Sequence, residues 1–253
     1  MYRVTFVGLL VVGLASVVVA DRATFDETKT QMATPLDTPP TIDGFIDADE
    51  WTQAFGSTGT SSFWWVSVNE DLEDLIQGGS TGDVTNAPFD NEDLSFEVWA
   101  GYDSDNLYVA VRVVDDVPYD DSADPESANG STWLDDSVEV FVDGDNSNFP
   151  DRDTSGSNPE VVDTGGQFVI TINNAYREAE AGNPGYGENA AWYARAELTN
   201  TGYEAEFRIS MNTIGNPQRG DIIGFNIAVN DDCLLYTSPS PRDLSTSRMP
   251  SSA

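Results

Sequence analysis

The feature that most constrains this chain is a two-residue alternation that recurs along it. In "LSFEVWA", Leu94, Phe96 and Val98 fall on one face; in "NLYVAVRVV", Leu107, Val109, Val111 and Val113 fall on one side and Arg112 on the other. "SVEVFVD", "QFVITIN" and "IIGFNIAV" obey the same rule. Successive side chains of a strand point to opposite faces, so this pattern fits strands with one buried face. Turn formers separate them: "DSDN" from Asp103 to Asn106, and Asn200-Thr201-Gly202, which divides "AWYARAELTNTGYEAEFRIS" into the two arms of a hairpin. Apart from one turn at "DADEWTQAF", no stretch carries a helical period. Many short strands with antiparallel-type turns predict an all-β protein, an antiparallel β-sandwich of jelly-roll or immunoglobulin-like type. "DGDNSNFPDRDTSGSNPEVVDTGG" and "EAGNPGYGEN" read as long surface loops, the usual home of binding residues.

The flanks of this region have a different texture. "MYRVTFVGLLVVGLASVVVA" places Arg3 before an apolar run and ends in small residues, the layout of a secretory signal peptide over residues 1–20. Residues 21–39 are polar, end in prolines and read as a leader or linker. The sandwich spans 40–232. From Cys233 the chain turns Ser/Pro/Arg-rich and aperiodic, and residues 233–253 back-translate to transposase-library adapter sequence. This tail is read as an artefact following a sandwich whose C-terminal strand is missing, which predicts an unpaired sheet edge. Export to an extracellular or periplasmic space would permit disulfides, but the one cysteine, Cys233, has no partner within the chain.

Charge and composition then narrow the function. The chain holds 44 acidic and 11 basic residues and no histidine, a formal charge of -33. Such a field repels nucleic acid and anionic membranes. A neutral ligand, or a cation held by carboxylates, suits it better. Without histidine there is no Ser-His-Asp triad and no imidazole base. Paired carboxylates of a glycosidase remain open, yet none is singled out among 44. An enzyme reading of this fragment is therefore weak, and no nucleotide-binding loop is present.

Three stretches, "PTIDGFIDADEW" (Pro40 to Trp51), "YDSDNLYVAVRVVDD" (Tyr102 to Asp116) and "WLDDSVEVFVDGD" (Trp133 to Asp145), are followed by "GQFVITIN" and "GFNIAVND". Their order and spacing over Thr41 to Asp232 resemble the family 9 carbohydrate-binding modules. The resemblance implies a non-catalytic sandwich that binds a neutral poly- or oligosaccharide, of the kind attached to xylanases and other enzymes of carbohydrate catabolism. It implies further that Trp133 stacks on a sugar ring and Glu139 accepts its hydroxyls. An indole face and a carboxylate acceptor do suit a pyranose, with its apolar C–H faces and polar rim. On the "SVEVFVD" strand, alternation puts Glu139 opposite Val138, Val140 and Val142.

The chain departs from the family pattern in two places. The family's sugar-binding arginine falls on Val169, and its second stacking tryptophan would lie beyond Asp232. Arg112 and Arg177 are candidate replacements for the guanidinium. Trp192, with Tyr193 and Tyr186, is a candidate for lining the site. The resemblance also implies structural calcium, for which Asp43, Asp47, Asp143 and Asp145 are the named candidates, with Asp49, Glu50, Asp151, Asp115 and Asp116 nearby in sequence. Trp51 is expected to pack beside Ile42 and Ile46, and Trp64, Trp65 and Trp99 to be core rather than an aromatic platform. The rival readings are an adhesion or structural sandwich without a sugar site, the N-terminal fragment of a multidomain glycoside hydrolase, and a haem-binding relative with Met211 as axial ligand. The last is disfavoured by the lack of histidine.

Overall fold

The computed structural model describes residues 2–12, 30–51, 63–67, 92–128, 132–146, 165–177 and 185–232, and side chains for these except 2–12, 30–32, 63–67 and Trp133. Among the described residues, eleven strands run in chain order: β1 (Tyr2–Val12), β2 (Thr30–Pro35), β3 (Phe63–Ser67), β4 (Leu94–Tyr102), β5 (Asn106–Asp115), β6 (Ser137–Asp143), β7 (Gly165–Thr171), β8 (Tyr176–Arg177), β9 (Trp192–Thr199), β10 (Gly202–Ser210) and β11 (Ile222–Asp231). The helical elements among the described residues are the short 3-10 turns Thr132–Leu134 and Met211–Ile214.

Two sheets enclose one core. The first runs β8-β7-β6-β11-β1 and the second β4-β5-β10-β9, with β3 also on β4; β2 bridges β1 and β4. The alternating residues decide the packing. Val138, Val140 and Val142 of β6, Phe168 and Ile170 of β7, and Ile223, Phe225, Ile227 and Val229 of β11 face the second sheet. From that sheet they meet Leu94, Phe96, Val98, Leu107, Val109, Val111, Val113, Ala205, Phe207 and Ile209. Burying each large aliphatic or aromatic side chain contributes about 1.5–3 kcal/mol, so the register that buries all of them at once is strongly selected. The predicted hairpin is present: β9 and β10 pair antiparallel through Gly202 and Thr199. Gly202 has φ +140°, and a Cβ there would meet the Val113 carbonyl oxygen at 2.3 Å, which is why glycine closes this turn.

The structure adds detail at the N-terminal side. The sandwich is mixed, because β2 pairs parallel to both β1 and β4. Residues Thr30–Pro35, within the segment read as linker, are a strand whose Ala33 enters the core. The polar sequence "TQMATP" hides this, since only alternate positions of a bridging strand need be apolar. The edge expected to be open is occupied as well. The segment Tyr2–Val12, read as a signal peptide, pairs antiparallel with β11 from Asp231 back to Ile222. Residues 233–253 and both long acidic and glycine-rich loops lie largely outside the described residues.

The "IDGFIDADEW" motif straps the outer face of the second sheet. Ile46 and Trp51 pack with Leu36 on Trp99, Tyr108 and Ala110, and Ile42 covers them. Trp99, on the opposite side of β4 from the sandwich core, is thus buried beneath the strap rather than part of an exposed platform. Trp64 and Trp65 lie on β3, where the side chains are outside the described residues. Two buried glutamates of β10 fasten the strap. Glu206 accepts hydrogen bonds from the Trp51 indole (2.7 Å) and the Gly44 and Asp43 amides (3.0 and 3.1 Å), and Glu204 accepts from the Ile46 amide (2.8 Å). Gly44, at φ +94°, leaves room beside Glu197 that a side chain would fill. The motif's tryptophan, glycine and spacing therefore serve one carboxylate.

Trp51→Ala should lose about 3–5 kcal/mol of stability in urea unfolding, the cost of emptying a fully buried indole site. Burial also pushes the Glu206 carboxyl from its ordinary 4.5 up to about 7, against the pull of the donors that favour its charged form. Between those values the folded chain holds a proton that the unfolded chain has released, so stability falls as pH rises through that window. The fall in melting temperature from pH 4.5 to 7 should be smaller in Glu206→Gln than in the wild type.

Candidate functional site

The outer face of the first sheet is set by the positions that alternate with its core valines. Register aligns Glu139 with Val169 on one side and Ala228 on the other, Phe141 with Gln167 and Asn226, and Ser137 with Asn230. Val169 is aligned in turn with Arg177 of β8. These residues therefore share one face. Glu139 stands opposite the valines, as alternation required, and its carboxylate is held from both flanking strands. Gln167 Nε2 donates to Oε2 (2.6 Å), and Asn230 Nδ2 donates to Oε1 (2.8 Å) and to Ser137 Oγ (2.9 Å). These two amide donors fix the direction of the carboxylate. Beside it, Phe141 and Gln167 are half-buried, and Asn226 Oδ1 is buried without a hydrogen-bond partner among the described residues. Glu139 itself is only 3% exposed.

Upstream of β6, the 3-10 turn Thr132–Leu134 carries Trp133, whose side chain lies outside the described residues. The backbone around it is pinned. Asp135 accepts from the Ser122 and Ala123 amides (2.7 and 2.8 Å), and Asp136 accepts from the Tyr119 and Asp232 amides (2.6 Å each). The acidic pair in "WLDDSVE" thus fixes where the turn sits relative to β6 and β11.

Two of the predicted sugar-binding residues are placed elsewhere. Arg112 lies on the outer face of the second sheet, where it bonds Glu204 (2.6 Å) and Glu97 (3.4 Å) and sits 5.2 Å above the Trp99 ring. β5 has its core-facing side toward the first sheet, so its one arginine must point away from Glu139. Trp192 faces inward: it is 0% exposed and meets the Phe168 ring at 5.4 Å and the Tyr186 ring at 4.8 Å. Its position on β9 alternates with that of Tyr193, which lies on the outer face of the second sheet rather than beside Glu139. Tyr186 is bound back to the Ala194 carbonyl (2.7 Å) and stacks on Tyr176. Met211 is part of the core.

The predicted cation ligands are likewise dispersed. Asp43 and Asp47 sit on the strap over the second sheet, where each accepts a backbone amide two residues on (3.0 and 2.8 Å). Asp143 and Asp145 lie at the end of β6 in the first sheet. A different set converges: Asp115, Asp136 and Asp231, all buried, offer carboxylate oxygens within 4.8 Å of one another. Burial, reinforced by the Asp115 charge, pushes Asp136 up to about 9 and Asp231 up to about 8. Each residue is where a strand enters or leaves the sandwich, a signal present in the sequence as "RVVD", "DDSVEV" and "AVND" but not decipherable before topology was known.

Residues 80–234 match the carbohydrate family 9 binding domain-like family. The chain belongs to this family. It is 32% identical over 131 residues to endo-1,4-beta-xylanase A of Thermotoga neapolitana and 31% identical over 130 residues to that of Thermotoga maritima; each alignment covers 51% of this chain and 10% of the relative. The family 9 domain here thus spans about a tenth of those curated relatives. It is also similar to a family 9 carbohydrate binding module from Caldicellulosiruptor kristjanssonii solved with cellotriose (21% identity, TM-score 0.45, 80% of this chain and 85% of that one). The same module solved with glucose gives 21% identity, TM-score 0.44 and coverage of 78% and 85%.

The amide clasp on Glu139 can be measured apart from any ligand. Asn230→Ala should cost about 1–3 kcal/mol in urea unfolding, the price of a buried acceptor losing its donor. Asn230→Asp should cost more, because it sets a second carboxylate against Glu139.

Proposed function

We propose that this domain binds a neutral poly- or oligosaccharide, without cleaving it, on the outer face of its first sheet. The observation that carries the reading is Glu139: a family 9 domain places a carboxylate on that face and orients it with Gln167 and Asn230. Sugar hydroxyls would bond this carboxylate and the amides around it, and Trp133, on the turn before β6, would supply the stacking face. Arg177 replaces Arg112 as the candidate guanidinium. It lies on the same row as Glu139, two strand spacings or about 10 Å away. The apolar N-terminal segment supports secretion, and the relatedness to xylanases supports a place in polysaccharide breakdown beside a catalytic domain. Removal of residues 1–20 would take away β1 and reopen the β11 edge.

One observation favours the rival reading of a structural or adhesion sandwich: Glu139 is almost fully covered, and the position beside it is the buried Val169 rather than an arginine. Affinity electrophoresis of the full chain through gels containing soluble xylan or hydroxyethylcellulose separates the two. The saccharide reading expects retardation by at least one glycan, and Arg112→Ala to be retarded like the wild type. Glu139→Gln, which preserves volume but removes the charge, should weaken binding about 10- to 100-fold, the worth of a charge-assisted hydrogen bond. No retardation by any neutral glycan, with the circular dichroism of a folded β protein, would establish the structural reading instead.

A further inference from the structure

The outer face of the first sheet continues past Glu139. Two residues further along β6, and therefore on the same face, Phe141 is aligned with Gln167 of β7 and Asn226 of β11. All three side chains are half-buried. Gln167 commits its Nε2 to Glu139 (2.6 Å), while its carbonyl oxygen Oε1 accepts no hydrogen bond from the described residues. The Asn226 side chain makes none among them; its Oδ1 is covered, whereas its Nδ2 and Gln167 Oε1 reach the surface. An uncommitted acceptor and an uncommitted donor thus stand on either side of one aromatic ring, each about 5 Å away across a strand spacing. The next outward row is Gly165, Asp143 and Gly224, so two of its three positions have no side chain to crowd the ring. Trp133 lies on the turn before β6 and Phe141 lies beyond Glu139, so the two aromatic residues bracket the carboxylate along the strand.

We propose that Phe141, with Gln167 and Asn226, forms a second sugar position next to Glu139, so that this face takes at least two linked pyranose units of a neutral oligosaccharide and not a single terminal ring. The proposal rests on the saccharide reading and extends it. Outward rows two residues apart on a strand are separated by about 7 Å, a distance that one further linked ring covers. The Phe141 ring offers an apolar plane to the C–H face of that unit. Gln167 Oε1 accepts from one of its hydroxyls and Asn226 Nδ2 donates to another, which gives both amides the partners they lack. The bond from Gln167 to Glu139 couples the two positions, because it fixes the amide plane and with it the direction of Oε1. The second position also accounts for how a face whose carboxylate is 3% exposed can hold a ligand, since more accessible groups stand one row away. None of the three side chains carries a charge, so this position has no means of holding an anionic sugar.

The test is titration calorimetry of the full chain with glucose and cellotriose, and with xylose and xylotriose. In at least one pair the trisaccharide should bind about 10-fold or more tightly than its monosaccharide. Phe141→Leu keeps an apolar side chain but removes the flat face. It should weaken trisaccharide binding about 3- to 10-fold and leave monosaccharide binding unchanged. Phe141→Tyr should bind the trisaccharide like the wild type, and Asn226→Ala should show the same selective loss as Phe141→Leu. Equal affinity of the wild type for monosaccharide and trisaccharide would overturn the proposal. So would a Phe141→Leu variant that binds the trisaccharide undiminished, or one that loses both ligands in parallel. Failure of the folded wild type to bind any of the four sugars is a different result: it removes the saccharide reading itself, and this position with it.

Discussion

Everything in this domain depends on strands that spend one face on a shared core. The valines of β6 and the aliphatic rows of β5, β10 and β11 have a single register in which all of them leave water, and that register assigns every intervening residue to an outer face. The polar chemistry is therefore placed by the apolar pattern. Glu139 lies outside because Val138 and Val140 lie inside; Glu204 and Glu206 lie outside because Ala205 and Phe207 do not. Neither position is chosen by the local chemistry of the acidic residue.

The two outer faces have been put to different uses. On the second sheet, Glu204 and Glu206 turn inward to the strap, each accepting amides from residues 43–46, with Arg112 and Trp99 beside them. Carboxylates that bind backbone amides and an indole are structural, and they explain why an acidic motif can cover an apolar patch. On the first sheet the carboxylate is instead clasped by side-chain amides from neighbouring strands, which keep an acceptor in a fixed direction without neutralising it. Neutral donors orient a negative charge; an arginine would also cancel it. Between the sheets, the aspartates at the strand ends form a third type of acidic cluster, in which crowded carboxylates share a few backbone donors.

Alternation made the strands, the Gly202 hairpin and the outward direction of Glu139 readable from residue order, because each is a local property. Topology was not local. β2 was missed since Ala33 and Leu36 are two apolar residues in a polar run, and their burial depends on where β4 lies. Arg112 and Trp192 could not be placed relative to Glu139 for the same reason: a period-2 pattern says that two residues are on opposite faces but not which face meets which sheet. The aspartate cluster was hidden by its sequence separations, for nothing in "RVVDD", "LDDSV" or "VNDD" distinguishes converging acids from solvated ones. Gln167 and Asn230 could have been found, since each sits in an outward position on a strand adjacent to Glu139 once the pairing of β6 with β7 and β11 is assumed.

The substitution at Val169 has a consequence for how this face distinguishes ligands. A guanidinium at that position would stand one strand from Glu139, about 5 Å away, and would share its charge. Here that place is buried and apolar, and the arginine on the same row, Arg177, is displaced by one further strand. A positive charge about 10 Å away shares little of the Glu139 charge. On the saccharide reading proposed above, such a face would suit an uncharged ligand better than an anionic one.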